Sequence, residues 1–177
     1  MIRIQSLLLM TAAAAGLSGC AGTKAVDPQA ELPHCQTTNK GKPIACTSWP
    51  VPSAIADTEA KRFEPDPEAL TVYVVRRNWG DSRNFVTVAV DDGREVETLP
   101  NTMVRFKLAP GTHAISFEFG GRKQSTTVQG VAGDLRFFRI EGMVWSWSSS
   151  YSWASEAEAS IQDRALKTRL VADVPMR

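Results

Sequence analysis

The chain has little net charge, few cysteines and, beyond its first residues, no long apolar run. Across 177 residues, 20 lysines and arginines face 19 aspartates and glutamates. That balance leaves no basic footprint for nucleic acid and no polybasic block for anionic lipid. No later stretch approaches the 18 or so apolar residues that a membrane-spanning helix needs. No G-x-S-x-G nucleophile elbow is present. Gly120-Gly121 and Gly130-Val131-Ala132-Gly133 are not followed by a helical pattern, so neither reads as a phosphate loop. Asp91, Asp92, Glu95 and Glu97 flank a turn rather than a cleft, and read as solvated turn chemistry rather than as a glycosidase pair. The expectation is a protein that is not an enzyme and uses no cofactor.

What is there begins at the N-terminus. Arg3, an apolar run from Leu7 to Gly16 and then Leu17-Ser18-Gly19-Cys20 form a charged start, an apolar middle and a small-residue cut site. This is a secretory signal, and the cysteine at the cut makes it a lipobox. Residues 1–19 are expected to be removed and Cys20 acylated. An ordinary signal peptide that happens to contain a cysteine is the plainer alternative. Each buried methylene contributes about 0.8 kcal/mol and one acyl chain alone is marginal, so the two or three chains of a lipoprotein cysteine give durable attachment. Ala21, not an aspartate, follows the cysteine. By resemblance to Gram-negative lipoproteins, that implies the outer membrane, with the folded part facing the periplasm. The segment left after the cut suffices for one domain and a tether.

Cys35 and Cys46 remain once Cys20 carries lipid. In an oxidising compartment such a pair reads as a disulfide, worth roughly 3 kcal/mol for so short a loop. Unpaired thiols, or a metal site combining them with His34, are the alternatives, but the spacing matches no common zinc pattern. Seven of the ten prolines fall between Pro28 and Pro67, and proline neither continues a helix nor sits inside a sheet. Residues 20–66 therefore read as a proline-rich, disulfide-stapled tether. As a flexible coil it would reach roughly 35–40 Å.

Residues 67–177 read as the domain. Short β-branched or aromatic runs at 71–76, 85–90, 95–99, 103–108, 113–119, 123–129 and 135–141 alternate with Gly, Pro, Asn and Asp turns. The clearest is His113–Phe119, where His113, Ile115, Phe117 and Phe119 alternate with smaller or polar residues. No helical pattern separates any two of these strands. The expectation is a mainly β fold, an antiparallel β-sandwich of about 7–8 short strands. Ser155-Glu156-Ala157-Glu158 matches a capping box and predicts one short C-terminal helix on the edge of the sheet. Its amphipathic period is poor, because Ile161 and Leu166 fall on different sides.

Several motifs resemble a bacterial lipoprotein domain family without assigned function, distantly like the PEGA surface-layer domains. They are Phe63 with the strand 70–76, Val90-Asp91-Asp92-Gly93, Leu108-Ala109-Pro110-Gly111-Thr112-His113 and the stretch 132–140. The resemblance implies a small β-sandwich behind a lipid anchor, with no catalytic residue to carry over. The Cys35/Cys46 segment and the aromatic stretch near Trp145 depart from it.

That stretch holds the most suggestive residues. Trp145, Trp147, Tyr151 and Trp153 alternate with serines, and three of the five tryptophans lie here. Exposed indoles stack on sugars, dock on proteins or sit at a membrane interface. A three-residue loop at Ser149–Tyr151 would hold Trp145, Trp147 and Trp153 on one face; a two-residue loop would send Trp153 to the other. Core packing of the whole set and an exposed partner or glycan surface both stay open. His113, with Ser116 and Asp134 elsewhere, is the candidate base of an envelope hydrolase, although an apolar strand face favours a structural histidine. Arg76, Arg77 and Arg83 read as a solvated rim. The functional expectation is a binding or structural role in the envelope, with a protein or peptidoglycan as partner. A hydrolase using His113, or membrane insertion by the Trp hairpin, is the alternative.

Overall fold

In a computed structural model, residues 27–77, 80–145 and 147–175 are described. The expected signal peptide and Cys20 lie outside them. The fold is mainly β, and among the described residues it has eleven strands rather than 7–8. β1 (Cys35–Thr37) and β2 (Pro43–Cys46) form a small antiparallel hairpin, and α1 (Ala54–Ala60) follows. β3 (Leu70–Arg76), β4 (Val86–Val90), β5 (Val96–Thr98), β6 (Thr102–Leu108), β7 (Gly111–Phe119) and β8 (Arg122–Gly130) come next. β9 (Leu135–Trp145), β10 (Ser148–Trp153), α2 (Glu158–Ala165) and β11 (Arg169–Val174) complete the order.

Two sheets pack face to face. One runs β10-β9-β3-β6-β11 and the other β5-β4-β7-β8. Their inner faces share Leu70, Val72, Val74, Val88, Phe106, Ile115, Phe117 and Ile140, all buried. The period-two expectation for β7 holds: Ile115 and Phe117 are buried, and Phe119 packs against the same cluster. The larger sheet is mixed, because β3 pairs with β9, and β6 with β11, in parallel. A chain that crosses to the second sheet and returns can lay a strand parallel without an intervening helix.

A second cluster covers the outer face of the larger sheet. Tyr73, Val75, Met103, Phe137 and Leu170 meet Ala60, Phe63, Ile161 and Ala165. Phe63 stands edge-on to Tyr73 and Phe137 at ring separations of 5.1 and 5.3 Å. Strand β3 is therefore buried on both faces, which explains its unbroken apolar run. The helix α2 lies over this face, not on the sheet edge. Nor does its capping box form: the N-cap is Ala157, without a side-chain bond, and Glu156 beside it pairs with Arg139 and Arg164. Burial opposes ionisation of Glu156, but Arg139 and then Arg164 hold its carboxyl below the usual range.

The expected tether differs most. Residues 27–66 pack along the domain instead of standing free. Val51 joins the inter-sheet core, and Ala60 and Phe63 the outer one. Gln36 donates to the Pro100 carbonyl at 2.5 Å, Ser48 donates to Glu97 at 2.9 Å, and Arg169 grips the Pro52 carbonyl and Asp57. Proline excludes interior helix and sheet, but it does not prevent an extended segment from burying its apolar residues. Cys35 and Cys46 are directly opposed in β1 and β2 and joined at 2.07 Å. No helix among the described residues is long and apolar enough to cross a membrane.

Candidate functional site

The last hairpin turns earlier than expected. Trp145 pairs with Ser148, and the register runs without a shift to Ile140 opposite Trp153. The hairpin thus closes between Trp145 and Ser148 and not through a loop at Ser149–Tyr151. Side chains alternate between faces along each strand, so this register divides the aromatic set. Tyr151 and Trp153 point between the sheets. Met143 and Trp145 point outward, and Trp147 occupies the turn.

The inward pair is anchored firmly. Trp153 stacks edge-on against Phe117 at 4.9 Å, and Tyr151 against Phe119 at 4.6 Å. The Tyr151 hydroxyl donates to Asp81 at 2.8 Å and accepts from Asn84 at 2.9 Å and from Arg76 at 3.1 Å. Burial raises the pKa of this hydroxyl. Arg76, expected on a solvated rim, is 1 % exposed. Its guanidinium pairs with Asp81 at 2.6 Å and donates to the Asn84 and Thr98 carbonyls. The strand parity explains the correction: in β3, Arg76 follows Leu70, Val72 and Val74 on the inner face. Buried ion pairs need such additional hydrogen bonds to offset desolvation. Arg77 is half-buried and Arg83 is exposed.

The outward set is bare. Trp147 is 91 % exposed, Trp145 66 % and Met143 60 %, and Val144, on the face of Ile140, is 39 % exposed at the end of the strand. Indole and thioether groups contribute most when desolvated, and large exposed ones grouped together mark interaction surfaces. Neither open reading of the hairpin holds for the whole set, because half of it is core and half is surface.

The residues suspected of catalysis do not converge. His113 Nδ1 meets Asp91 at 2.5 Å and Nε2 meets the Ala109 carbonyl at 2.8 Å, so both ring nitrogens are engaged. Burial works against its charge, but Asp91 and Ala109 outweigh it and raise its pKa; the Asp91 carboxyl is lowered correspondingly. Ser116 lies on the opposite face of β7 and donates to the Ala89 carbonyl at 3.5 Å. Asp134 serves its own turn, accepting from Val131 N–H and Arg136. Asp91 and Asp92 form the turn after β4 with φ of 49° and 52°, the left-handed pair that a tight hairpin requires. Asp92 binds Lys123. His34 is not a ligand beside free thiolates, since both cysteines are in the disulfide. Burial and then Arg169 lower its pKa. Among the described residues no group of His, Cys, Asp and Glu could hold a metal.

Sequence reading missed the Arg76–Asp81–Tyr151 cluster. The available signal was Arg76 continuing the even-numbered inner face of a strand with an aspartate just beyond it. No protein-family model matches the chain, and no curated protein matches it.

Proposed function

We propose that this protein is a non-catalytic, lipid-anchored outer-membrane protein that docks an envelope protein on the tip of its β9–β10 hairpin. The observation that carries the reading is the exposure of Trp145 and Trp147 beside Met143 on a hairpin whose base is locked into the core. The lipobox at Cys20 and the resemblance to lipoprotein domains support the anchor and the periplasmic placement. Met143 and Val144 favour a protein over a glycan, because sugar sites set aromatic planes among amides and charged groups. Among the described residues of 143–150, the polar side-chain groups are serine hydroxyls and indole N–H. Aromatic residues and methionine are the types enriched at protein interfaces.

A photocrosslinking residue placed at Trp147, in intact cells, tests the proposal. The expected result is a discrete protein adduct that an equivalent probe at exposed Leu166 does not form. Retention of the protein on purified peptidoglycan, lost in a variant with alanine at Trp145 and Trp147, would instead make the tip a glycan site.

A further inference from the structure

The tip sits at the end of an unusual edge strand. The two sheets have four outer strands: β5, β8, β10 and β11. Open edges invite pairing with another chain, and proteins blunt them with charge, bulges, shortness or cover. β5 has only three residues. β8 carries Arg122 and Lys123. β11 has a register shift between Leu170 and Ala172, and Asp57 of the α1 segment caps its Leu170 N–H at 2.6 Å. β10 is neither charged, bulged nor as short as β5, and the Gln124 amide on its Tyr151 carbonyl is a single side-chain cover. Its sequence, Ser148 to Trp153, contains no charge and no proline, and its register is regular.

The direction of its free groups follows from two bonds. Ala154 N–H donates to the Arg139 carbonyl in β9 at 2.9 Å, while the Tyr151 carbonyl accepts from Gln124 on the opposite side at 3.0 Å. Backbone groups alternate along a strand, so those of Ser149, Tyr151 and Trp153 point away from β9. Their N–H groups have no partner among the described residues. Beside them lies a groove of about 330 Å³ between β10 and the β7–β8 turn, floored by Phe117 and Phe119. Arg122 is the one charged residue lining it, and no acid does. Arg122 has no ion-pair partner among the described residues.

We propose that β10 receives an extended, acidic segment of the partner protein as an added strand, with a carboxylate of that segment on Arg122. This deepens the hairpin reading and rests on it. Strand addition gives affinity through main-chain bonds and specificity through flanking side chains. The open N–H groups supply the first, and Arg122 together with the tip indoles supplies the second. A second copy fits less well, because edge-to-edge pairing would bring two Arg122 side chains to one groove. Gln124 guards the Tyr151 carbonyl and has to swing aside.

The test is a titration of the ¹⁵N-labelled lipidated protein in zwitterionic micelles with the capped hexapeptide TVEVTV. The account expects saturable shifts and slowed hydrogen exchange at Ser149, Tyr151 and Trp153. Binding should weaken about fivefold for Arg122→Glu, or when the peptide glutamate becomes lysine. No change at these amides would overturn the proposal. Shifts confined to Trp145 and Trp147 would overturn it while leaving the tip as a docking surface. Concentration-dependent broadening of the β10 amides without peptide would assign the edge to a second copy and overturn the acidic-partner assignment.

Discussion

At the base of the β9–β10 hairpin, Tyr151 and Trp153 are packed against Phe119 and Phe117, whereas at its tip Trp145 and Trp147 stand in solvent. Both ends carry aromatic residues alternating with serines. Only the register separates them, since a shift of one residue in a hairpin exchanges its faces. The base spends its aromatic groups on stability. The tip leaves Trp145 and Trp147 unburied, which costs solubility without stabilising the fold, and this is the surface the proposed partner would cover.

Breaking the base should have the largest effect. Arg76→Leu leaves Asp81 buried without its cation and removes donors from two carbonyls. We expect a loss of roughly 3–5 kcal/mol in urea unfolding. Tyr151→Phe keeps the ring contact and removes only the hydroxyl shared by Asp81, Asn84 and Arg76. Its expected cost is about 1–3 kcal/mol. Equal stability of Tyr151→Phe and the parent would mean that the hydroxyl network does not anchor β10.

The exposed ion pair at the opposite end of β7 sharpens the contrast with the buried one. His113 has its pKa raised from 6.5 and Asp91 its pKa lowered from 3.8. The histidine contribution is complete below about pH 6.5 and fades as pH rises through the folded value. The aspartate contribution is complete above about pH 3.8 and fades on further acidification. The pair therefore stabilises most between these limits. His113→Gln should cost about 0.3–1 kcal/mol at pH 5 and clearly less at pH 8, by unfolding at both pH values. The same cost at both would refute the assignment.

Alanine at both Trp145 and Trp147 should change stability least, within about 0.5 kcal/mol, as for surface positions outside the packed core. The same variant should lose its crosslinked partner. A loss of several kcal/mol would place the tip in the fold and not on its surface.

Much of the sheet was legible in the sequence, and the reasons are local. β7 announced itself by alternation, and Asp91-Asp92-Gly93 marked a turn that formed. The parallel strand β11 was not legible, because Arg169–Val174 gains its meaning only by lying beside β6. α1 was hidden by the prolines around it, although Ser53 caps it by accepting from Ala56 N–H. For the candidate site, the aromatic cluster was visible but its division was not. The sequence between Trp145 and Ser148 carries no Gly or Asn signal of a tight turn, so the register was set by what Tyr151 and Trp153 could bury. Arg76 looked like one of three surface arginines until the strand parity placed it inside.

The division of the hairpin is tested most directly by fluorine NMR of protein labelled with 5-fluorotryptophan, with a soluble nitroxide added. Resonances of Trp145 and Trp147, assigned by replacing each with phenylalanine, should broaden strongly while that of Trp153 stays sharp. Equal broadening of all three would contradict the anchored base, and protection of Trp147 in the free protein would contradict the open tip.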